Sequence, residues 1–187
     1  MPRAASCSRR ADGGIISVLI LHRFVSVNVE TRVDAPGSTE YASDAWELKE
    51  RIREAEGVLK QRRSFFVDAY RRARDHLLVV EDDVVGFASV RRDGYVLFLG
   101  VAPEHRGEGH GKRLVAAALQ DHDSVSCHAR ASNESALSFY KHLGFDVERR
   151  ITGYYEDGGD AYYLRLGDGS SLRGRFADFF RRSVVGE

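Results

Sequence analysis

Only two cysteines, Cys7 and Cys127, occur in 187 residues, neither in a Cys-x-x-Cys pair nor spaced with histidines as metal ligands. That scarcity excludes a disulfide-stapled scaffold and points to a reducing, cytoplasmic setting. Net charge is also lacking. Lys plus Arg and Asp plus Glu both number 28, so no overall field draws the chain to nucleic acid or to an anionic membrane. Long apolar runs are missing too. The nearest approach, "SRRADGGIISVLIL", offers seven mostly apolar residues before His22 and Arg23, against roughly 20 for a membrane span. Asp12 interrupts it and no small-x-small cleavage site follows, so a poorly ordered extension over residues 1–24 is expected rather than a secretion signal.

With 43% apolar and 30% charged residues, the composition is that of a globular domain, able to bury about 70% of its unfolded surface. "VSVNVETRV" alternates from Val25 to Val33, which predicts a strand with one wet face. Pro36-Gly37 breaks it. Ser43, with Glu47 as capping partner, predicts the start of a helix that pauses at Gly57 and resumes to Arg74 on Leu59, Phe65, Phe66 and Tyr70. Three apolar runs then follow, separated by Asp82-Asp83 and Arg92-Asp93-Gly94, which predicts an antiparallel meander. Helices are predicted over 109–121 and 135–143, the latter capped by Ser132 or Asn133, with strands over 124–129, 147–152 and 161–166. A meander feeding a β-α-β crossover implies an α/β fold, with a mixed, mostly antiparallel sheet and helices on both faces. Residues 25–167 are the expected domain. Residues 168–187 form a basic amphipathic tail in which Leu172, Phe176, Phe179 and Phe180 share one helical face.

"VAPEHRGEGHGKRLVAAAL" sets Arg106, Gly107, Gly109, Gly111 and Lys112 between a strand and a helix. Small residues let backbone N–H groups converge, and the helix start adds its positive end, together making a cradle for an anion such as phosphate. The spacing is neither a Walker loop nor a dinucleotide fingerprint. The plainer alternative is a sharp strand-to-helix turn.

At these residues the chain resembles the GNAT acetyltransferase superfamily. Arg106-Gly107-Glu108-Gly109-His110-Gly111 matches that family's Arg/Gln-x-x-Gly-x-Gly/Ala loop, and Asn133, Ala136, Phe139, Tyr140 and Leu143-Gly144-Phe145 match its next motif. The resemblance spans residues 25–166 and is nearest in pattern to ribosomal-protein-alanine and protein N-terminal acetyltransferases. It implies acetyl-CoA as acetyl donor, with the loop, His110 included, around the pyrophosphate. The strand ending at Val101 and the side chain of Asn133 would hold the pantetheine arm.

Amide formation from an amine needs a base, donors for an oxyanion and an acid for the departing thiolate. Tyr140 matches the family's acid; alternatively it is a packed aromatic beside Phe139. The glutamates that serve many members as base are missing, and His128 stands in that place. This departs from the ribosomal-protein pattern and resembles eukaryotic N-terminal acetyltransferases with a His-x-x-x-Ser-Asn histidine. Imidazole titrates near 6.5 and suits proton removal at neutral pH, though His128 could equally be a bystander. Strand alternation puts Cys127 on the other face, which disfavours a Cys–His nucleophilic pair. An α-amine near 7.7–8.0 costs under about 1 kcal/mol to neutralise at pH 7.4, against about 4 for lysine, so one modest base suits a protein N-terminus better. "GYYEDGGDAYYLRL" resembles the closing hairpin of protein Nα-acetyltransferases. Tyr154 and Tyr155 would grip the substrate, and Glu156 and Asp157 would attract its ammonium. Three functions follow for comparison: Nα-acetylation of proteins, acetylation of a small amine or lysine, and a catalytically silent acyl-CoA sensor. Ribosome contact through the C-terminal tail is a further expectation. Neither a membrane nor a specific nucleic acid is expected as a partner.

Overall fold

A computed structural model describes residues 28–58 and 60–167. The expected N-terminal extension, the start of the first strand, the Leu59 anchor and the C-terminal tail lie outside these residues. Strands β1 (Glu30–Asp34), β2 (Arg74–Val80), β3 (Asp83–Val90) and β4 (Val96–Val101) form one antiparallel sheet in that order. Strands β5 (Val125–Arg130), β6 (Asp146–Ile151) and β7 (Ala161–Leu166) form a second, ordered β5-β7-β6. Helices α1 (Ala42–Glu56) and α2 (Arg63–Arg72) connect β1 to β2, α3 (His110–Asp121) connects β4 to β5, and α4 (Glu134–Leu143) connects β5 to β6.

Helices cover both faces of the first sheet. On β3, Gly86 faces Leu114 of α3, whereas the adjacent Phe87 points the other way, toward Ile52 of α1 and Phe66 of α2. Phe66, Tyr70, Leu77, Leu78, Phe87 and Leu114 are fully buried there. At about 25 cal/mol per Å2, each large apolar side chain contributes about 1.5–3 kcal/mol. The meander and the final strand pair thus match the expected α/β architecture.

Three local expectations are corrected. Ser43 does not cap α1; Tyr41 occupies the cap position without a side-chain bond. Instead Asp34, buried at the end of β1, accepts the Tyr41 amide at 3.1 Å, the Ser38 hydroxyl at 2.8 Å and the Tyr70 hydroxyl at 2.7 Å. A tertiary carboxylate therefore does the work assigned to a local serine. Strand β1 lies at the sheet edge with Val33 exposed and Asp34 buried, so its polar residue faces in. The second helix starts only at Arg63, and Phe65 is 56% exposed while Phe66 is completely buried.

The two sheets meet at β4 and β5, which run parallel. One bridge, Tyr95 to Ser126, joins them, with the Ser126 amide donating to the Gly94 carbonyl at 3.1 Å. Beyond that rung no ladder continues among the described residues, so the strands part toward the C-terminal end of β4. The Ala102 amide bonds Val85 on the β3 side. By alternation, the backbone groups of Leu99 and Val101 face the opening between the strands.

Candidate active site

The glycine turn stands at the mouth of this opening. Gly107 and Gly109 have φ of 80° and 83°, values that residues with a Cβ rarely adopt. Backbone hydrogen bonds stop at Arg106 N to Pro103 O and resume at Arg113 N to Gly109 O. The amides from Gly107 to Gly111 donate to no described residue, and five N–H groups at a helix start make a cradle suited to an anion. Arg106 itself turns away: its Nε donates to the Val101 carbonyl at 3.1 Å, and its guanidinium pairs with Glu56 at the end of α1. It braces the strand end. Lys112 lies in the first turn of α3, where Arg113 donates to Thr31 Oγ1 at 2.6 Å. Gly111 has another role as well. A Cβ there would fall 2.8 and 2.9 Å from ring atoms of Phe139, so its absence lets α4 close on α3. His110 is buried at the start of α3, beside Glu108.

Asn133 caps α4, its side chain accepting the Ala136 amide at 3.0 Å. In that geometry its carboxamide nitrogen is the group left for a ligand. Tyr140, two turns on, packs edge-on against Phe139 and Phe145. Burial pushes its pKa well above 10, and the Cys127 thiol beside it raises it further. Burial likewise pushes the Cys127 thiol up to about 12, which removes it as a nucleophile at neutral pH.

His128 sits on the other face of β5, opposite Tyr163 on β7. Its ring stacks on Tyr154 at 4.4 Å and 11° and leans on Tyr163 at 5.0 Å. Its Nδ1 lies 2.7 Å from the Tyr95 hydroxyl. Its Nε2 is buried without a partner. Burial and then the Arg149 charge hold the ring's pKa below the usual imidazole value. Among the described residues no ring contact or hydrogen bond joins His128 to Tyr140. The histidine's direct partner is Tyr95, whose own pKa burial pushes far upward. No motif in the sequence marks Tyr95. Its place at the closed end of the opening depends on the β4–β5 rung, which no local pattern announces.

The hairpin between β6 and β7 is held from below. Arg130 pairs with Asp157 at 3.0 Å and lies 4.0 Å over the Tyr155 ring. Asp157 is thereby engaged and not free to attract an ammonium. Asp160 accepts Gly153 N at 3.0 Å and Arg150 Nε at 2.8 Å and ties the hairpin's base together. Tyr154, 44% exposed, and Tyr155 meet edge-on at 5.0 Å above His128.

A two-sheet α/β scaffold that splays over an amide-lined turn defines the class, and the comparisons agree with it. The family model "Acetyltransferase (GNAT) family" matches residues 39–145, and the chain belongs to that family. It is 38% identical over 80 residues to N-alpha-acetyltransferase 30 of Xenopus laevis, covering 40% of this chain. It is 35% identical over 83 residues, or 42% of the chain, to N-alpha-acetyltransferase 30 of Saccharomyces cerevisiae. It spans less than half the length of these relatives, 29% and 47% respectively. In fold it is similar to Ard1 from Thermoplasma volcanium (TM-score 0.62, 24% identity, 75% of this chain and 97% of that one). It is also similar to the ribosomal-protein-S18-alanine N-acetyltransferase of Escherichia coli (TM-score 0.60, 19% identity, 73% and 93%). No helix among the described residues is long and apolar enough to cross a membrane.

Proposed function

We propose that the chain transfers the acetyl group of acetyl-CoA to the α-amine of protein N-termini, by direct attack within a ternary complex. The observation that carries this reading is the Tyr95–His128 pair at the closed end of an opening whose mouth is lined by unpaired amides. The coenzyme's diphosphate would rest on the amides of Gly107 to Gly111, and its pantetheine arm would run along the open edge of β4 at Leu99 and Val101. Asn133 would hold that arm from α4.

Because Nε2 of His128 is sealed, a proton reaches this base through Tyr95. In that relay the amine's proton passes to the Tyr95 oxygen while the Tyr95 hydroxyl proton passes to Nδ1. The amine then attacks the thioester carbonyl and the C–S bond breaks. The thiolate takes its proton from Tyr140, whose raised pKa keeps the phenol protonated until then, and the proton shed by the acylated nitrogen restores the phenol. Amide and free thiol result, and the imidazolium releases its proton to solvent. A modest base fits an α-amine, most of which loses its proton near pH 8 unaided. The relatives named N-alpha-acetyltransferase support the same acceptor, as does the tyrosine rim beside His128.

The test is intact-mass analysis of a peptide panel, each sequence supplied with free and with blocked N-terminus and incubated with acetyl-CoA. A single added acetyl on the free forms alone is the expected result. Equal acetylation of blocked, lysine-bearing peptides would overturn the acceptor, and no thiol release with any amine would favour the silent sensor. A role for residues 168–187 in contacting the ribosome belongs to the same proposal and would appear as ribosome co-sedimentation lost on their removal.

A further inference from the structure

We propose that the turn between β4 and α3 carries a divalent transition-metal site built from His105, Glu108 and His110. It shares the loop whose backbone amides form the anion cradle but is built from side chains. His105 ends a 3-10 turn (Pro103–His105), Glu108 follows in the glycine loop, and His110 opens α3. One donor atom from each lies within 4.8 Å of both others. His110 Nε2 is 3.1 Å and His105 Nδ1 is 4.0 Å from the same carboxylate oxygen, Glu108 Oε2. A tetrahedral ion with bonds near 2.0–2.1 Å holds its ligand atoms roughly 3.3 Å apart. The triad is therefore near ligating geometry, needing the largest gap to close by about 1.5 Å.

A second observation separates this cluster from a chance ion pair. His110 Nε2 is buried and makes no hydrogen bond, although Glu108 Oε2 lies only 3.1 Å away. A cation held between them would engage both groups at once. The His105 and His110 rings lie 6.1 Å apart and are inclined by 36°. Two imidazoles with one carboxylate suit zinc or a neighbouring first-row divalent ion better than magnesium or calcium, which favour all-oxygen shells. Three protein ligands leave a fourth position for water. The positive end of α3 lies close by, and the Glu108 carboxylate offsets it in part.

The experiment uses the full chain, stripped with chelator and free of coenzyme, titrated with zinc chloride by calorimetry and with cobalt chloride by visible absorption. One saturable equivalent and a tetrahedral cobalt spectrum are expected. The double substitution His105→Ala with Glu108→Gln should weaken binding at least about tenfold. These two side chains are partly exposed in a surface turn, so circular dichroism should report an unchanged fold. A Cys7→Ser/His22→Ala variant should bind as tightly as the native chain. Absence of a saturable event in the native chain, or equal affinity in the His105/Glu108 variant, would overturn the site. Because coenzyme is left out, neither outcome bears on acetyl transfer.

Discussion

Replacing Tyr95 by Phe removes one oxygen, the atom 2.7 Å from His128 Nδ1, and it distinguishes two roles for that oxygen. If the hydroxyl merely steadies the imidazole, its loss is that of one ordinary hydrogen bond, about 1 kcal/mol, which is about fivefold in kcat. If it carries the proton, the substitution disconnects the base altogether, since Nε2 is buried without a partner. The loss then equals that of His128→Gln, within the 10²–10⁴-fold range of general-base catalysis. The relay also makes the two changes non-additive: with the wire cut at one end, cutting the other costs nothing more. The assay is steady-state thiol release at saturating acetyl-CoA and free-N-terminus peptide, at pH 7.5, for the native chain, both single variants and the double. Losses of roughly a hundredfold or more in each single variant, with no further loss in the double, are expected. A Tyr95→Phe enzyme within about tenfold of native beside an inert His128→Gln would refute the relay.

The Arg149 charge lowers the His128 pKa and lies 4.7 Å over the Tyr163 ring. Neutral imidazole is the active form, so Arg149→Ala should raise that pKa and move the acid limb of the kcat–pH profile upward. Gly111→Ala sets a methyl against the Phe139 ring and should destabilise by about 1–3 kcal/mol in urea titration. Combining it with Phe139→Leu should recover part of that loss, and full additivity would argue against the contact. Burial raises the Asp75 pKa to about 8, with Ser89 donating to one of its oxygens. A folded-state pKa above the unfolded value near 3.9 means a contribution to stability that is lost as pH climbs toward 8. His76, next along β2, has its pKa lowered to about 4 by burial and gives the opposite slope below about 6.5. Between pH 6.5 and 8.5 the Asp75 effect therefore stands alone. Asp75→Asn should flatten the fall in urea midpoint across that window, and an unchanged slope would contradict the assignment.

Sequence resolved what is periodic or local. The meander between Arg74 and Val101 is bounded by tight-turn signals, and Gly144 follows α4 where its apolar period ends. The glycine turn was legible because its residues are contiguous. Relations across the chain were not. Asp34 and Tyr70, 36 positions apart, share a buried hydrogen bond that displaced the expected serine cap. Tyr95 and His128, 33 apart, meet where a rung joins the two sheets. Side-chain direction was also hidden. Neighbouring aromatics Phe65 and Phe66 differ from 56% to 0% exposure because a helix shows one of them to the core. Arg106, one of the loop residues expected around the pyrophosphate, pairs with Glu56, a partner 50 positions away that no local pattern names.

The rung between Tyr95 and Ser126, with the Ser126 amide on the Gly94 carbonyl, is the one ladder step among the described residues between the two half-shells, which otherwise share a core that includes Val96, Leu119, Val125 and Leu166. Motion that widens the cleft for incoming coenzyme strains that rung, while the ladders inside each half are backed by several pairs. The deuterium uptake of a single backbone position, Ser126, thus gauges how far the halves breathe, and ligands that wedge or clamp them would be read there in opposite directions.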